Sequence, residues 1–257
     1  TYYQKLPSYF ERNFPNDLQF AYTALNTFLD DGQIDWNAMY SANIDNSQIG
    51  RNAIYALYEG RVDDSQLTVN SILNMELNDN VIFSAGINYK ALKSENFAQV
   101  SDLLGASTYL DIDGFATTID EAQNDLLNPN KVVGKDDIFK YNYNILASEL
   151  SAFAQAQFKY KRVDFHVSGS VKNTQYQREG IYQNGGFPDN SLGKGDKLTF
   201  TGFGAKAGIT YKLTGKHMFD ANTGYISRAP SIQNTYSNSR ENHNIVPNIS
   251  EEKILSV

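Results

Sequence analysis

ELSAFAQAQFKYKRVDFHVSGSVK, residues 149–172, is the stretch of sequence that decides the fold class. Apolar and polar side chains alternate along residues 149–160, and the alternation resumes at Val163, after Lys161-Arg162. Period-2 alternation is the signal of a β-strand with two unlike faces. The stretch therefore predicts two antiparallel strands joined by a very short turn at 161–162.

The same pattern occurs twice more, and the connections between the predicted strands differ in length. Alternating segments surround Asn78-Asp79-Asn80 within residues 67–89 and Thr214-Gly215-Lys216 within residues 202–228. These short connections are rich in residues that suit tight turns. The connections at the opposite ends are long and cover residues 94–145, 178–198 and 231–249. Short periplasmic turns at one end and long extracellular loops at the other are typical of outer-membrane barrels.

Strand length and the composition of the two faces favour a membrane barrel over a soluble sandwich. The strands reach the roughly 9 to 11 residues that a membrane-crossing strand needs, whereas globular strands average about 5 to 6. Ala, Val and Phe dominate one face, and Glu, Lys, Asn and Gln continue along the other through the middle of each strand. A lipid-facing exterior and a polar lumen explain this division. We therefore predict an all-β fold, a segment of a transmembrane antiparallel up-and-down β-barrel with long extracellular loops and short periplasmic turns.

Composition argues against several other classes of protein. The 257 residues contain no cysteine, which excludes disulfide frameworks, thiolate metal sites and cysteine nucleophiles. The net charge of −7 leaves no basic stripe to neutralise phosphates, so we expect no nucleic-acid partner. No apolar run approaches the roughly 18 to 20 residues of a spanning helix, and the first residues lack the apolar core of a signal peptide.

The chain is expected to have two parts. Residues 1–62 are predicted to form an extracellular loop region with short helices over residues 17–29 and 35–43; the first of these has apolar residues at helical spacing. Residues 63–257 are predicted to be the β-barrel segment, with about six full strands and the start of a seventh. An open sheet cannot survive in hydrocarbon, so the rest of the barrel is expected outside these residues and the chain looks cut at both ends.

Three short motifs near the end of the chain resemble a known family. They are Arg228-Ala229-Pro230 at the end of a predicted strand, Val246-Pro247-Asn248 after a loop, and then Glu252-Lys253-Ile254. In this order, within residues 227–257, they resemble the barrel of Bacteroidetes TonB-dependent receptors. Further similar stretches are Gln33-Ile34-Asp35-Trp36, Tyr109-Leu110-Asp111-Ile112-Asp113, Asn124-Asp125-Leu126-Leu127-Asn128-Pro129-Asn130 and Phe187-Pro188-Asp189-Asn190-Ser191.

The resemblance implies a barrel of about 22 strands in the bacterial outer membrane, closed by an N-terminal plug and powered through TonB. The implied partners are membrane lipid and lipopolysaccharide, together with TonB acting through a plug domain that this chain does not contain. A surface lipoprotein is left open as a further partner. The family's substrates include iron chelates, cobalamin, oligosaccharides and peptides, and no residue of the sequence selects among them.

Polar residues of the predicted strands are the candidate site residues, because they would line the lumen. The functional interpretation is contact with a plug or a substrate, and the alternative is a solvated wall with internal ion pairs. The possible lumen-lining residues are Glu76, Lys90, Lys159, His166, Lys172, Lys206, Asp220 and Arg228. The loop aromatics that could stack on a sugar or a chelate are Tyr176, Tyr182, Phe187 and Tyr236.

No residue pattern indicates catalysis, a cofactor or a metal, so we expect a protein that is not an enzyme. Asp111-x-Asp113-Gly114 lacks the further ligands of a calcium loop and is predicted to be a turn. Gly202-x-Gly204 lies in a predicted strand, where glycine favours close packing against a plug or a bend rather than nucleotide binding. A metal would require ligands that converge, and the three histidines are spread over two strands and a loop: His166, His217 and His243.

Three functions follow from these observations. The first is an outer-membrane active importer that takes up a nutrient such as an iron chelate, an oligosaccharide or a peptide. The second is a passive porin or adhesin-like barrel, which the absence of a plug upstream of Thr1 would favour. The third is a soluble glycan-binding β-sandwich, which predicts that the apolar stripes of residues 67–77 and 163–171 pack on each other in a core.

Overall fold

The computed structural model describes residues 6–30 and 34–257, and its main feature is one antiparallel sheet. The long strands follow one another in the order β1-β2-β5-β6-β8-β9-β10, and β7 pairs with β6. Their bounds are β1 (Leu57–Asn78), β2 (Val81–Asp102), β3 (Tyr109–Leu110), β4 (Val132–Val133), β5 (Ile138–Lys159), β6 (Val163–Gly180), β7 (Gly193–Lys194), β8 (Leu198–Lys212), β9 (Met218–Arg228) and β10 (Glu252–Ser256).

The three predicted hairpins are confirmed as neighbouring antiparallel pairs, β1 with β2, β5 with β6, and β8 with β9. Side chains of the turns satisfy the backbone where the ladder stops. The Asn80 amide donates to Oδ1 of Asn78 at 3.0 Å. The amides of Lys216 and His217 donate to Oγ1 of Thr214 at 3.2 and 3.1 Å. These side chains replace the missing ladder bonds and fix the register of the strands that follow.

The strands are longer than the alternation predicts, and the expected loops 94–145 and 178–198 are correspondingly shorter. β2 continues to Asp102, β5 begins at Ile138, and β6 continues to Gly180. Consecutive residues of β2, including Phe97 and Ala98, are buried there, so both faces of the sheet are covered. A strand covered on both faces loses its alternation, which is why the sequence does not reveal this part.

A β-bulge interrupts the β2–β5 ladder in the part of the sheet far from the short turns, which we call the upper part. Phe97 pairs with Asn142 and Ala98 pairs with Phe139, so two residues of β5 are left over. One of them, Lys140, adopts the left-handed conformation with φ 61°. Its amide donates to Oδ1 of Asp111 at 3.0 Å, which stabilises an otherwise unfavourable backbone.

The described part of the chain contains four helices: α1 (Pro7–Asn13), α2 (Leu18–Asp30), α3 (Trp36–Gln48) and α4 (Ile232–Thr235). α2 and α3 occupy the two regions predicted to be helical. Oδ1 of Asp35 accepts from the Ala38 amide at 2.9 Å and caps α3. α1 and α4 were not predicted, since neither is long enough to show a period. Tyr2-Tyr3, in the predicted loop region, and Gln33 of the motif at 33–36 lie outside the described residues.

The chain divides into two compact units, residues 1–57 with 102–109, and residues 58–101 with 110–257. In the first unit, the buried side chain of Asn43 donates to Tyr55 O at 2.8 Å and to Leu103 O at 2.7 Å. Its Oδ1 accepts from the amides of Ile54 and Tyr55. The first strand begins at Leu57 rather than after residue 62. Along residues 6–30 and 34–257, no helix is long and apolar enough to cross a membrane.

Candidate functional site

The strand register brings the polar side chains of the sheet to one face. Lys90 pairs with Glu149, Glu149 pairs with Thr174, and Lys172 pairs with Gly202. Directly paired residues point to the same side, and side chains alternate along each strand. A hydrogen bond of 2.7 Å between Ser84 Oγ and Asn74 Oδ1 extends the same face to β1.

All eight predicted lumen residues lie on this polar face, which we call the polar wall. Lys206 pairs with Gly224, and Arg228 pairs with Glu252, so the assignment continues through β10. The residues are Glu76, Lys90, Lys159, His166, Lys172, Lys206, Asp220 and Arg228. The alternation along each strand predicted that these residues share one face. Their role as lumen lining stays a prediction.

Ion pairs between neighbouring strands balance the charge of the polar wall. Lys172 Nζ lies 3.0 Å from Glu149 Oε1, and Lys212 Nζ lies 2.7 Å from Asp164 Oδ2. The Thr210 hydroxyl donates to Oδ1 of Asp220 at 2.5 Å. Pairs that are partly exposed to water each contribute about 0 to 1 kcal/mol. The polar wall is therefore hydrophilic and carries both positive and negative charges, so it does not favour ligands of one sign of charge.

Glycines of β8 leave room on the polar wall for neighbouring groups. A Cβ at Gly208 would clash with Oδ1 of Asn222 and with the ring of His166, on the two adjacent strands. At Gly202 it would lie 3.1 Å from the carbonyl carbon of Ser227. Gly202 therefore allows close packing within the sheet, whereas the predicted packing of Gly202-x-Gly204 against a plug stays a prediction.

The opposite face of the sheet is apolar and uncovered. Its side chains include Leu67, Val167 and Phe203, which are 59%, 49% and 57% exposed. The stripes at 67–77 and 163–171 belong to the same sheet and do not pack on each other. The sandwich hypothesis is therefore wrong, because it requires a second layer over this face. Contiguous exposed apolar surface of this extent marks contact with lipid or another apolar medium.

A loop returns over the upper part of the polar wall. Residues 229–249, which we call the folded-back loop, connect β9 to β10 and contain α4. Tyr236 of this loop packs with Tyr143 and Ile145 of β5 in a buried apolar cluster. The Tyr176 hydroxyl donates to Pro230 O at 3.1 Å, and Arg240 lies 5.0 Å from the ring centroid of Tyr141. Aromatic side chains of the wall thus hold the loop against its upper end.

Arg178 fastens the folded-back loop to the wall. The residue lies in β6 and is 2% exposed. Its Nε donates to Ser239 O at 2.6 Å, and its Nη1 donates to Ser191 O at 2.8 Å. Nη1 also lies 3.0 Å from Nδ1 of His243. No ion pair joins Arg178 to a carboxylate of the described residues, and burial lowers its pKa to about 10. Sequence reasoning missed this residue, since a lone arginine in a strand carries no motif.

A cavity of about 310 Å³ opens beneath the start of the folded-back loop. Glu149, Lys172 and Tyr176 form its base, and residues 228–231 and Glu252 form its side. Both ion pairs at this cavity, Glu149–Lys172 and Arg228–Glu252, join carboxylates to cations across strands. A polar group that entered the cavity would meet donors, acceptors and one aromatic ring.

Three of the four predicted loop aromatics lie in loops, and Tyr176 does not; their role as substrate contacts stays a prediction. Tyr176 lies in β6, not in a loop. Tyr236 is 6% exposed, so its ring has little surface left for a ligand. The Tyr182 hydroxyl donates to Ile138 O and accepts from Lys131 Nζ, each at 2.8 Å. Phe187 is partly exposed in the loop after β6.

The motif Asp111-x-Asp113-Gly114 forms a turn, in which Asp113 Oδ1 accepts from the Phe115 amide at 2.9 Å. Asp111 is buried and accepts from the side chain of Asn124 at 2.7 Å. Burial raises the pKa of Asp111. No group of three or more His, Asp or Glu side chains in the described ranges is placed to hold a metal ion. The chemistry of the site is therefore hydrogen bonding and charge pairing.

Long paired strands, one polar wall and one uncovered apolar face define a β-barrel protein of the outer membrane. The chain belongs to the TonB-dependent receptor family, since the family model described as TonB dependent receptor-like, beta-barrel matches residues 1–256. The predicted family, the outer-membrane location and the general role in transport are confirmed by this match. Proteins of the family work with TonB among outer-membrane lipids and are transporters rather than enzymes. Searches of curated proteins and of solved structures give no match.

Proposed function

We propose that this chain forms part of the wall of an active importer, with the polar wall facing the lumen and the apolar face in contact with acyl chains. The short turns then lie in the periplasm and the long loops, including the folded-back loop, outside the cell. Substrate arriving from outside the cell first meets the folded-back loop and then moves along the polar wall. The chain acts as a conduit and breaks no bonds.

The observation that carries this proposal is the separation of the two faces across the whole sheet. Lys90, Lys172 and Lys206 share one face, while exposed Leu67, Val167 and Phe203 share the other. Placing charged side chains in lipid near mid-membrane costs about 2 to 4 kcal/mol each. Only one orientation of this sheet avoids that cost.

The substrate class is proposed from the character of the wall. Balanced ion pairs and neutral hydrogen-bonding side chains suit a polar nutrient such as an iron chelate, an oligosaccharide or a peptide. We also propose that the receptor is of the Bacteroidetes type, on the basis of Arg228-Ala229-Pro230, Val246-Pro247-Asn248 and Glu252-Lys253-Ile254. A plug elsewhere in the full protein and a surface lipoprotein partner belong to the same proposal.

Uptake with and without TonB tests the proposal. Cells that express the full-length receptor are supplied with radiolabelled ferric hydroxamates, maltooligosaccharides and tripeptides, and accumulation is compared in parent and TonB-deleted strains. We expect at least one probe class to accumulate above the level of receptor-deleted cells, and only when TonB is present. Receptor-dependent accumulation that persists without TonB would identify a passive porin instead. No receptor-dependent accumulation of any probe class would contradict the three substrate classes.

A further inference from the structure

Besides the aromatic contacts, a small number of polar contacts around one buried cation hold the folded-back loop on the polar wall. Arg178 donates to Ser239 O in this loop and to Ser191 O in the loop after β6. The His243 amide donates to Asn190 O at 2.9 Å, and Asn190 Nδ2 donates to Asn244 Oδ1 at 2.6 Å. The two loops and β6 therefore meet at Arg178.

The contact between Arg178 and His243 fixes the protonation state of the imidazole. A guanidinium has only donors, so Nδ1 of His243, 3.0 Å from Nη1, must accept. The ring is then neutral and carries its proton on Nε2, which lies 3.4 Å from Leu192 O. A proton added to Nδ1 would turn the acceptor into a donor and place two cations next to each other.

We propose that Arg178 and His243 form an acid-sensitive latch, and that protonation of His243 releases the folded-back loop from the polar wall. Release exposes Tyr143 and Ile145 and widens access to the cavity at Glu149 and Lys172. The latch is a conformational device of the loop, and it does not depend on the direction or the energy source of transport.

The charges around His243 act in the direction that the latch requires. Burial lowers the pKa of His243, and Arg178 lowers it further. The Leu192 carbonyl and Asp196 oppose this change. Tyr143 and Tyr236 are the titratable groups that face Arg178 itself.

The sign of the pH dependence follows from this lowered pKa. The closed loop binds a proton on His243 more weakly than the released loop, whose histidine keeps the ordinary value of 6.5. The closed loop therefore has its full stability relative to the released loop above about pH 6.5, and this stability decreases as the pH falls below that value. One proton gives up to about a tenfold change in the ratio of released to closed loop per pH unit, until the closed-state pKa is reached.

Thiol accessibility at Thr235 measures the release directly. Thr235 lies in the folded-back loop and is 0% exposed, so a cysteine there reacts only after the loop leaves the wall. The experiment uses the full-length receptor in detergent, with Thr235→Cys as the single cysteine and a soluble maleimide as the probe. Gly215→Cys, in the open turn after β8, supplies the intrinsic thiol rate at each pH. The ratio of the two rates is the protection of the closed loop.

We expect protection to fall by clearly more than about twofold between pH 7.5 and pH 5.0, with the size of the fall set by how far the pKa of His243 is lowered in the closed loop. His243→Asn keeps an acceptor near the position of Nδ1 but does not titrate, so its protection should stay constant within about twofold over that range. His217→Asn and His166→Asn, which change histidines outside the latch, should behave like the parent. Protection that is absent at pH 7.5, constant in the parent, or equally pH-dependent in His243→Asn would overturn the proposal.

Discussion

At the scale of single residues, two arginines of the polar wall show how burial changes the role of one side chain. Arg178 is 2% exposed and its guanidinium is bound by backbone carbonyls of two loops. Arg228 pairs with Glu252 at 2.9 Å, with 58% of its side chain exposed. Exposed pairs are screened by water, whereas buried charged donors are not. Arg178 is therefore the stabilising residue of the two.

Substitution by methionine should affect the free energy of unfolding differently at these two arginines. We expect Arg178→Met to lower the free energy of unfolding by about 1.5 to 3 kcal/mol, because Ser191 O and Ser239 O lose a charged donor. Arg228→Met should change it by less than about 1 kcal/mol. Urea titration of the full-length receptor folded into lipid vesicles measures both. Equal effects would show that Arg178 does not fasten the loops.

Neighbouring residues on β5 test which face meets lipid. Ala154 lies on the apolar face and Gln155 on the polar wall, one residue apart. Ala154→Lys, like Val167→Lys, should destabilise the folded receptor by about 2 to 4 kcal/mol if the position lies near mid-membrane. Gln155→Lys should have an effect below about 1 kcal/mol, since its side chain stays in water. The same vesicle titration applies, and comparable stability of Ala154→Lys and Gln155→Lys would count against the lipid-facing assignment.

At the scale of elements, the packing of β8 against β6 depends on the absence of a side chain. The side chains of Asn222 and His166, on the two neighbouring strands, occupy the space above Gly208. We expect Gly208→Val to destabilise the receptor by about 1 to 3 kcal/mol through overpacking. Gly215→Ala, where nothing lies within 4 Å, should stay within about 0.5 kcal/mol of the parent.

A second substitution identifies the cause of that effect. His166→Ala should recover part of the stability lost in Gly208→Val, because it removes one of the two groups that the new side chain meets, while Asn222 remains. Thermal unfolding followed by the shift of the folded band on gels provides the measurement. Additive losses in the double variant would place the strain elsewhere than at His166.

The strands and loops also show which parts of the structure could be predicted from the sequence. Alternation located the halves of the long strands next to the short turns and, through them, the eight predicted residues of the polar wall. The upper half of β2 was missed because Phe97 and Ala98 are both buried and interrupt the period. The folded-back loop was missed for a different reason, since Arg178 and Ser239 are 61 residues apart and no local pattern joins them. Contacts of that kind depend on the assembled sheet.

At the scale of the whole molecule, the proposed sidedness places all long connections outside the cell. Ile119, in the connection between β2 and β5, is 79% exposed, and Gly215 lies in a short turn at the opposite end of the strands. On intact cells, a membrane-impermeant maleimide should label Ile119→Cys and leave Gly215→Cys unlabelled. Both should react after the outer membrane is permeabilised. Labelling of Gly215→Cys alone on intact cells would reverse the orientation.

The lengths of β1, β2 and β5 extend this picture beyond the membrane. Each has 22 residues, of which about 9 to 11 suffice to cross the bilayer. The remaining half, at about 3.3 Å per residue, continues the sheet for roughly 35 Å along the strands. A solute arriving from the medium would thus enter a hydrogen-bonded vestibule well before it reached the depth of the lipid. Under the proposed orientation, antibodies or phage that approach the cell would meet paired strands on this side of the protein.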